Sequence, residues 1–394
     1  MLGAEAFDEL TMWFAVMATP TLLNEIISNL QLTNQLKKGR RLPIDVLQSI
    51  SHLLSGSHTI VPASFRKLAI GNIAGREILM NGVTVPMDTS AANVHGDGRM
   101  FAVDGTKDQK LFAAWARGEF SEIDSRTAVL WKESKNNLNM QAIGEQVKPF
   151  AKRIAGNAKS LKDVVMAVDA FMADPNRKRQ INLCKMAVSF LFEEPGYARP
   201  FEMRSLLQSG LLFRDFAPYA SSILRIYLVF NISLGLGFVR RDANSLADIQ
   251  YLFYAPFCTG FCSNDKLHER LFLAATSSAI YLPAETLKAD LLNRKAWRQS
   301  LGKDGWAKHR HEYGIYPMEF QGSLINEVWN RTMHPRPETP HRVTRESLDA
   351  AQNDPRIWEM VDQMKAMVKK SETMKRAEKT AWPHGKTSDG ERPF

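Results

Sequence analysis

A chain of 394 residues suffices for one large domain with insertions or for two to three ordinary ones. Its 44% hydrophobic and 24% charged content excludes a disordered or collagen-like chain and calls for a substantial buried core. The formal net charge of +9 admits a polyanionic partner such as nucleic acid; it is equally compatible with an excess of Lys and Arg that merely keeps a cytoplasmic protein soluble. Three cysteines, Cys184, Cys258 and Cys262, are an odd number in a long chain, so a disulfide framework is not expected and a reducing, cytoplasmic setting is. Cys258 and Cys262 do not make a Cys-x-x-Cys pair, which leaves zinc poorly supported and predicts buried thiols.

The opening "MLGAEAFDEL" lacks a basic segment followed by an apolar core, so no signal peptide is predicted. In "MWFAVMATPTLLNEIISNLQ", 12 to 31, the nearly all-apolar part before Thr19-Pro20 predicts a covered parallel strand. The part after it predicts a helix, with Thr19 as N-cap, Pro20 at the first helical position and an apolar stripe through Leu22, Leu23, Ile26, Ile27 and Leu30. Glu25 interrupts that stripe. Helices are predicted across 43 to 80, a long irregular excursion rich in Gly, Asn and Asp over 81 to 109, and helices again over 109 to 193 and 200 to 233. The most apolar stretch, 221 to 239, contains Arg225, Asn231 and several glycines, so a buried helix fits it better than a membrane span, and no membrane partner is expected.

From 240 onward helices alternate with short strands: a helix in "RRDANSLADIQYLFYAPFC", a strand in "FCTGFCS", a helix in "DKLHERLFLAATSS", a strand in "AIYLP" and a helix in "AETLKADLLNRKAWRQSL". Such alternation predicts a parallel sheet covered on both faces. "KHRHEYG", 308 to 314, places His309 and His311 as two ligands on a strand would be, or in a solvated basic loop. The proline-rich 333 to 343 predicts a linker before a long helix whose end carries Lys365, Lys369, Lys370, Lys375, Arg376 and Lys379. The last residues predict a disordered tail.

Three acids share a context. Glu25 and Asp265 each follow an apolar strand on a helical first turn or two, and Asp248 lies near a helix start, with Asp242 as its runner-up. In an open parallel sheet ligands bind beyond the carboxyl ends of the strands. Carboxylates gathered there repel one another unless a cation neutralises them, and Mg²⁺ or Mn²⁺ is the usual hard cation for oxygen ligands. Such an ion can activate water against a phosphodiester. The plainer alternatives are helix capping for Asp265, an ordinary first-turn acid for Asp248, and a partnered buried acid for Glu25. His268, beside the turn, is expected at the surface.

"PTLLNEIISNL", followed far downstream by "ADIQYLFYAPFCTGFCSNDKLHERL", resembles the PIN-domain nuclease superfamily. Glu25 matches that family's glutamate after an apolar strand, Asp248 its aspartate at the start of a later helix, and Ser263-Asn264-Asp265 its Thr/Ser-Asn-Asp turn. The resemblance implies a metal-dependent nuclease acting on RNA or single-stranded nucleic acid, with Glu25, Asp248 and Asp265 as catalytic metal ligands. Ser263, Asn264 and Lys266 would then face the nucleic acid. It covers 12 to 31 and 240 to 295. It departs from the family in lacking a first-strand aspartate: Asp8 has no apolar strand around it, so either a preceding strand is missing from this sequence or the site is degenerate. The expected fold is α/β, a PIN-like parallel sheet flanked by helices and helix-rich overall. Its core would be built from 1–40 and 200–332, with a mainly helical insertion at 41–199, a linker and basic helix at 333–380, and a tail at 381–394. The alternative is a non-catalytic basic protein that binds nucleic acid or protein through a degenerate PIN-like core.

Overall fold

The computed structural model describes residues 2–28, 43–55, 59–82, 84–86, 107–192, 210–275, 279–313, 316–318 and 320–332. The expected linker, basic C-terminal helix and tail lie outside these residues, as does most of the predicted excursion before 107. In chain order the elements are α1 Ala4–Thr11, β1 Val16–Met17, α2 Pro20–Ser28, α3 Pro43–Leu54, β2 Thr59–Ile60, α4 Phe65–Ile73, α5 Lys107–Ala116, α6 Glu122–Asn136, α7 Met140–Ala155, α8 Leu161–Ala173 and α9 Arg177–Phe192. They continue with α10 Phe213–Phe216, α11 Pro218–Leu236, α12 Asn244–Leu252, a 3-10 turn Ala255–Phe257, β3 Gly260–Ser263, α13 Lys266–Ala275, β4 Ile280–Pro283, α14 Ala284–Ser300, α15 Gly302–Tyr313 and α16 Leu324–Thr332.

The chain is helix-rich and its strands pair in parallel, as the alternation predicts. Among the described residues, however, the strands form two separate two-stranded sheets, β1 with β2 and β3 with β4, in place of one continuous sheet. The strand expected over Trp13 to Thr19 shrinks to two residues. The reason is local: α1 runs to Thr11, and the Trp13 and Phe14 amides still turn back onto Leu10 O, so the apolar run begins as the end of a helix. Thr19 performs its predicted capping role, its hydroxyl accepting the Leu22 amide at 3.2 Å.

Met1–Asp304 with Pro317–Pro335 forms one compact unit. Its largest core runs from Ala63 to Ala279 and mixes residues of α4, α7, α8 and α9 with those of α11, α12 and α13. At its centre lies α11, long and apolar enough to span a bilayer by length and composition; 78% of its most apolar window is buried inside this unit. Gly235 lets α7 approach closely, since a Cβ there would stand 3.0 Å from Ala151 Cβ and 3.2 Å from Lys148 Cα. The β3–β4 sheet is covered on both sides. Ile280 and Leu282 join a core with α1, α14 and α16, while Phe261 and Tyr281 lean on the large one.

Two buried ionic locks close this region. Glu9, its side chain fully buried, takes Arg298 at 2.8 Å and the Trp13 indole N–H at 3.3 Å. The guanidinium of Arg294, also fully buried, reaches Asp290 at 3.2 Å, Ser323 Oγ and Asn326 Oδ1 at 2.5 Å each and Met318 O at 2.8 Å. These contacts offset the cost of burying the two charges, although Arg294 Nε, facing Asp290, makes no hydrogen bond among the described residues.

The second unit, Gly305–Tyr316 with Arg336–Phe394, is described only at 305–313 and 316. His309 and His311 lie on α15 and not on a strand or loop, because the segment from Gly302 continues as one helix. His309 is buried between the rings of Trp306 and Tyr313.

The cysteines carry no disulfide; Cys184 is buried as expected, but Cys258 is only partly buried and Cys262 is exposed at the edge strand β3, which corrects the expectation for those two thiols.

Candidate acidic site

The site draws on three helices: Glu25 and Asp248 lie past the first turns of α2 and α12, and only Asp265 stands at a helix start, so Asp248 is further into its helix than expected. Helix α2 brings Glu25, α12 brings Asp248, and the turn from β3 into α13 brings Asp265. Gly260 at the start of β3 is required for the sheet's closeness, since a Cβ there would lie 2.6 Å from Leu282 Cδ1. At the far end of the strand, Ser263, Asn264 and Asp265 form a tight turn. Asp265 Oδ1 accepts the Leu267 and His268 amides at 2.6 and 3.4 Å, so this acid does cap its helix. Its Oδ2 has no hydrogen bond among the described residues.

Asp248 is electrostatically joined to both other acids. Burial first, then the carboxylates of Asp265 and Glu25, raise its carboxyl from the ordinary aspartate range to about 7, with Asp242 adding a little and Lys135 opposing. Among the described residues no hydrogen-bond donor meets its carboxyl. Asp242, the runner-up, is exposed and spends Oδ1 on the Asn244 amide at 2.9 Å, a capping role outside the cluster.

Glu25 is partnered. Tyr251 donates its hydroxyl to Oε2 at 2.6 Å across 226 positions of sequence, and Lys135 Nζ of α6 lies 3.6 Å from Oε1. Burial together with the charges of Glu25 and Asp248 pushes the Tyr251 phenol far up, so it remains a donor. Beside this bond Thr21 Oγ1 donates to Gln250 Oε1 at 3.1 Å, a second tie between α2 and α12.

His268 is buried, contrary to its expected surface position. Tyr251 and Phe261 meet its ring edge to face at 5.6 and 5.5 Å, and an aromatic pocket of that kind draws an imidazole inward. Burial lowers its pKa, opposed by its bond to the Asp248 backbone and by the nearby acids. The residues expected to face nucleic acid divide. Ser263 Oγ is engaged by His268 Nδ1 at 2.8 Å and the Asp265 amide at 3.0 Å; Asn264 is paired with Glu285 through two bonds of 3.0 and 3.1 Å. Lys266 is exposed at the first turn of α13.

Tyr251 and His268 lie inside the sequence stretch that singled out the acids, one helical turn beyond Asp248 and Asp265 respectively. That spacing was the available signal. Lys135 had none, since it reaches the cluster from the helical region far away in sequence.

Among the described residues no three His, Cys, Asp or Glu side chains are grouped closely enough to hold one metal ion. In chemistry alone the three carboxylates are the hard oxygen donors that Mg²⁺ or Mn²⁺ takes; in spacing the described acids do not close around one ion. Lys135 already supplies part of the charge such an ion would bring. Comparison with protein-family models, with curated proteins and with solved structures finds no match to this chain.

Proposed function

We propose that Glu25, Asp248 and Asp265 line a cleft that hydrolyses phosphodiesters of RNA or single-stranded nucleic acid with the aid of Mg²⁺ or Mn²⁺. One observation carries this reading: burial and the acids Asp265 and Glu25, from distant segments, raise the Asp248 pKa, and no donor meets its carboxyl among the described residues. The resemblance to PIN-domain nucleases at the same three residues supports it. Asp248 and Asp265 would hold the cation, with Glu25 behind them. When bound it would supply Lewis acidity toward water and phosphate oxygen. The protein's own groups do the remainder. Tyr251 and Lys135 hold Glu25 in place. Asp248, titrating near neutrality, can take up or release a proton at working pH. Lys266, exposed beside the turn, is placed to meet a phosphate of the strand.

A second reading, a non-catalytic basic nucleic-acid- or protein-binding protein with a degenerate PIN-like core, is favoured by a different observation. The described acids do not close around an ion, and the Lys135 ammonium stands beside Glu25. Cleavage of end-labelled single-stranded RNA in Mn²⁺ separates the two. The nuclease reading expects cleavage that falls by about 100-fold or more in Asp248→Asn and Asp265→Asn, as loss of a transition-state contact does. Retained RNA binding with no cleavage by the unaltered chain selects the second reading. Equal cleavage by all three chains removes this cleft from the chemistry.

A further inference from the structure

The ring of His268 connects two segments that each carry an acid. Its Nε2 lies 2.9 Å from the backbone oxygen of Asp248, in α12, and its Nδ1 lies 2.8 Å from Ser263 Oγ, in the turn before α13. A carbonyl oxygen only accepts, so Nε2 carries the proton and Nδ1 accepts from the Ser263 hydroxyl. Ser263 Oγ in turn accepts the Asp265 amide at 3.0 Å. The bonds run in one direction, from the Asp265 amide through Ser263 and the imidazole to the Asp248 carbonyl. Every member is satisfied, which is the condition under which a buried polar chain rigidifies its surroundings.

We propose that His268 is a positioning residue, a neutral Nε2–H imidazole that sets the spacing between the Asp248 and Asp265 backbones by bridging α12 to the Ser263-Asn264-Asp265 turn. Its ring makes no hydrogen bond to any of the three carboxylates and acts through the segments that bear Asp248 and Asp265. This rests on the reading of the cleft as the functional site, but its test needs neither cation nor substrate, so its failure is distinct from a failure to cleave RNA.

The test uses the full chain at a fixed pH of about 7.5, well above the ordinary His range. Imidazole ¹⁵N spectra of the unaltered protein are expected to show His268 as the Nε2–H tautomer, and Ser263→Ala is expected to move the Nδ1 resonance alone. The Nδ1–H tautomer or an imidazolium overturns the proposal without any variant that must fold. Hydrogen exchange then separates bridging from packing. His268→Phe keeps the ring against Tyr251 and Phe261 but loses both nitrogens; His268→Asn loses the ring but places an acceptor near the Nδ1 position. The Ser263 limb of the bridge, kept by asparagine and lost with phenylalanine, predicts Asp265 amide exchange about tenfold faster in His268→Phe than in His268→Asn, the effect of about one hydrogen bond. The reverse order shows that ring packing holds the turn, and overturns the inference.

Discussion

Asp248→Asn isolates the central electrostatic feature of the cleft. In the unfolded chain this carboxyl ionises in the ordinary range near 4; in the folded protein it does so at about 7. Between those values the folded state holds a proton that the unfolded state has lost, so stability declines as pH rises. The contribution is intact below the unfolded value and is lost as pH climbs through the folded one. A displacement of this size corresponds at face value to about 4 kcal/mol. Asp248 is partly open to solvent, and screening reduces this to about 2 kcal/mol. The asparagine variant cannot ionise and escapes the penalty. In urea unfolding its stability relative to the unaltered chain is therefore expected to rise by about 1.5 kcal/mol between pH 4.5 and pH 8.5, seen as a midpoint shift at unchanged slope. At pH 8.5 about 10 mM MgCl₂ is expected to narrow the gap by stabilising only the unaltered chain, since a ligand specific to the folded state adds stability by mass action. A difference that stays constant with pH would refute the claim that burial, with Asp265 and Glu25, holds the Asp248 carboxyl above its ordinary range.

The neighbouring contacts give three further expectations. Lys135→Met removes the positive charge that opposes the acids, so the Asp248 carboxyl, followed by ¹³C NMR, should titrate at higher pH than in the unaltered chain; a lower midpoint would show that Lys135 does not face Asp248. Tyr251→Phe leaves Glu25 Oε2 without its hydroxyl donor and should cost about 1–2 kcal/mol in urea unfolding. Arg294→Ala removes the cation facing the half-buried Asp290, which keeps only the Ser323 hydroxyl and the Ile325 amide, and should lower stability by about 3–5 kcal/mol; a loss below about 1 kcal/mol would mean that this lock is not closed in solution.

Much of the local structure was legible before any coordinates. Thr19 caps α2, β3 and β4 fall where apolar runs sit between turn residues, and α13 and α14 follow them. These features depend on neighbouring residues, through side-chain capping and the period of the apolar pattern, so a single sequence carries them. The boundary near Trp13 was misplaced because an apolar run looks alike at a helix end and in a strand. The helix-forming run from Gly302 was missed because the interest of His309 and His311 lay in their spacing.

What the sequence by itself determined is local: the helices that carry Glu25 and Asp248, and the short strand and turn before Asp265. What only the tertiary structure decided is their company: Tyr251 and Lys135 on Glu25, a half-buried Asp248 carboxyl that meets no donor among the described residues, and the inward ring of His268 joining two of the segments. Those relations depend on burial and on contacts between residues as far as 226 positions apart, and no local pattern encodes them. The division of the core was decided in the same way. Helices α4, α7, α8 and α9 share the large core with α11, α12 and α13, while α3, α5 and α6 pack with α2 in a smaller one.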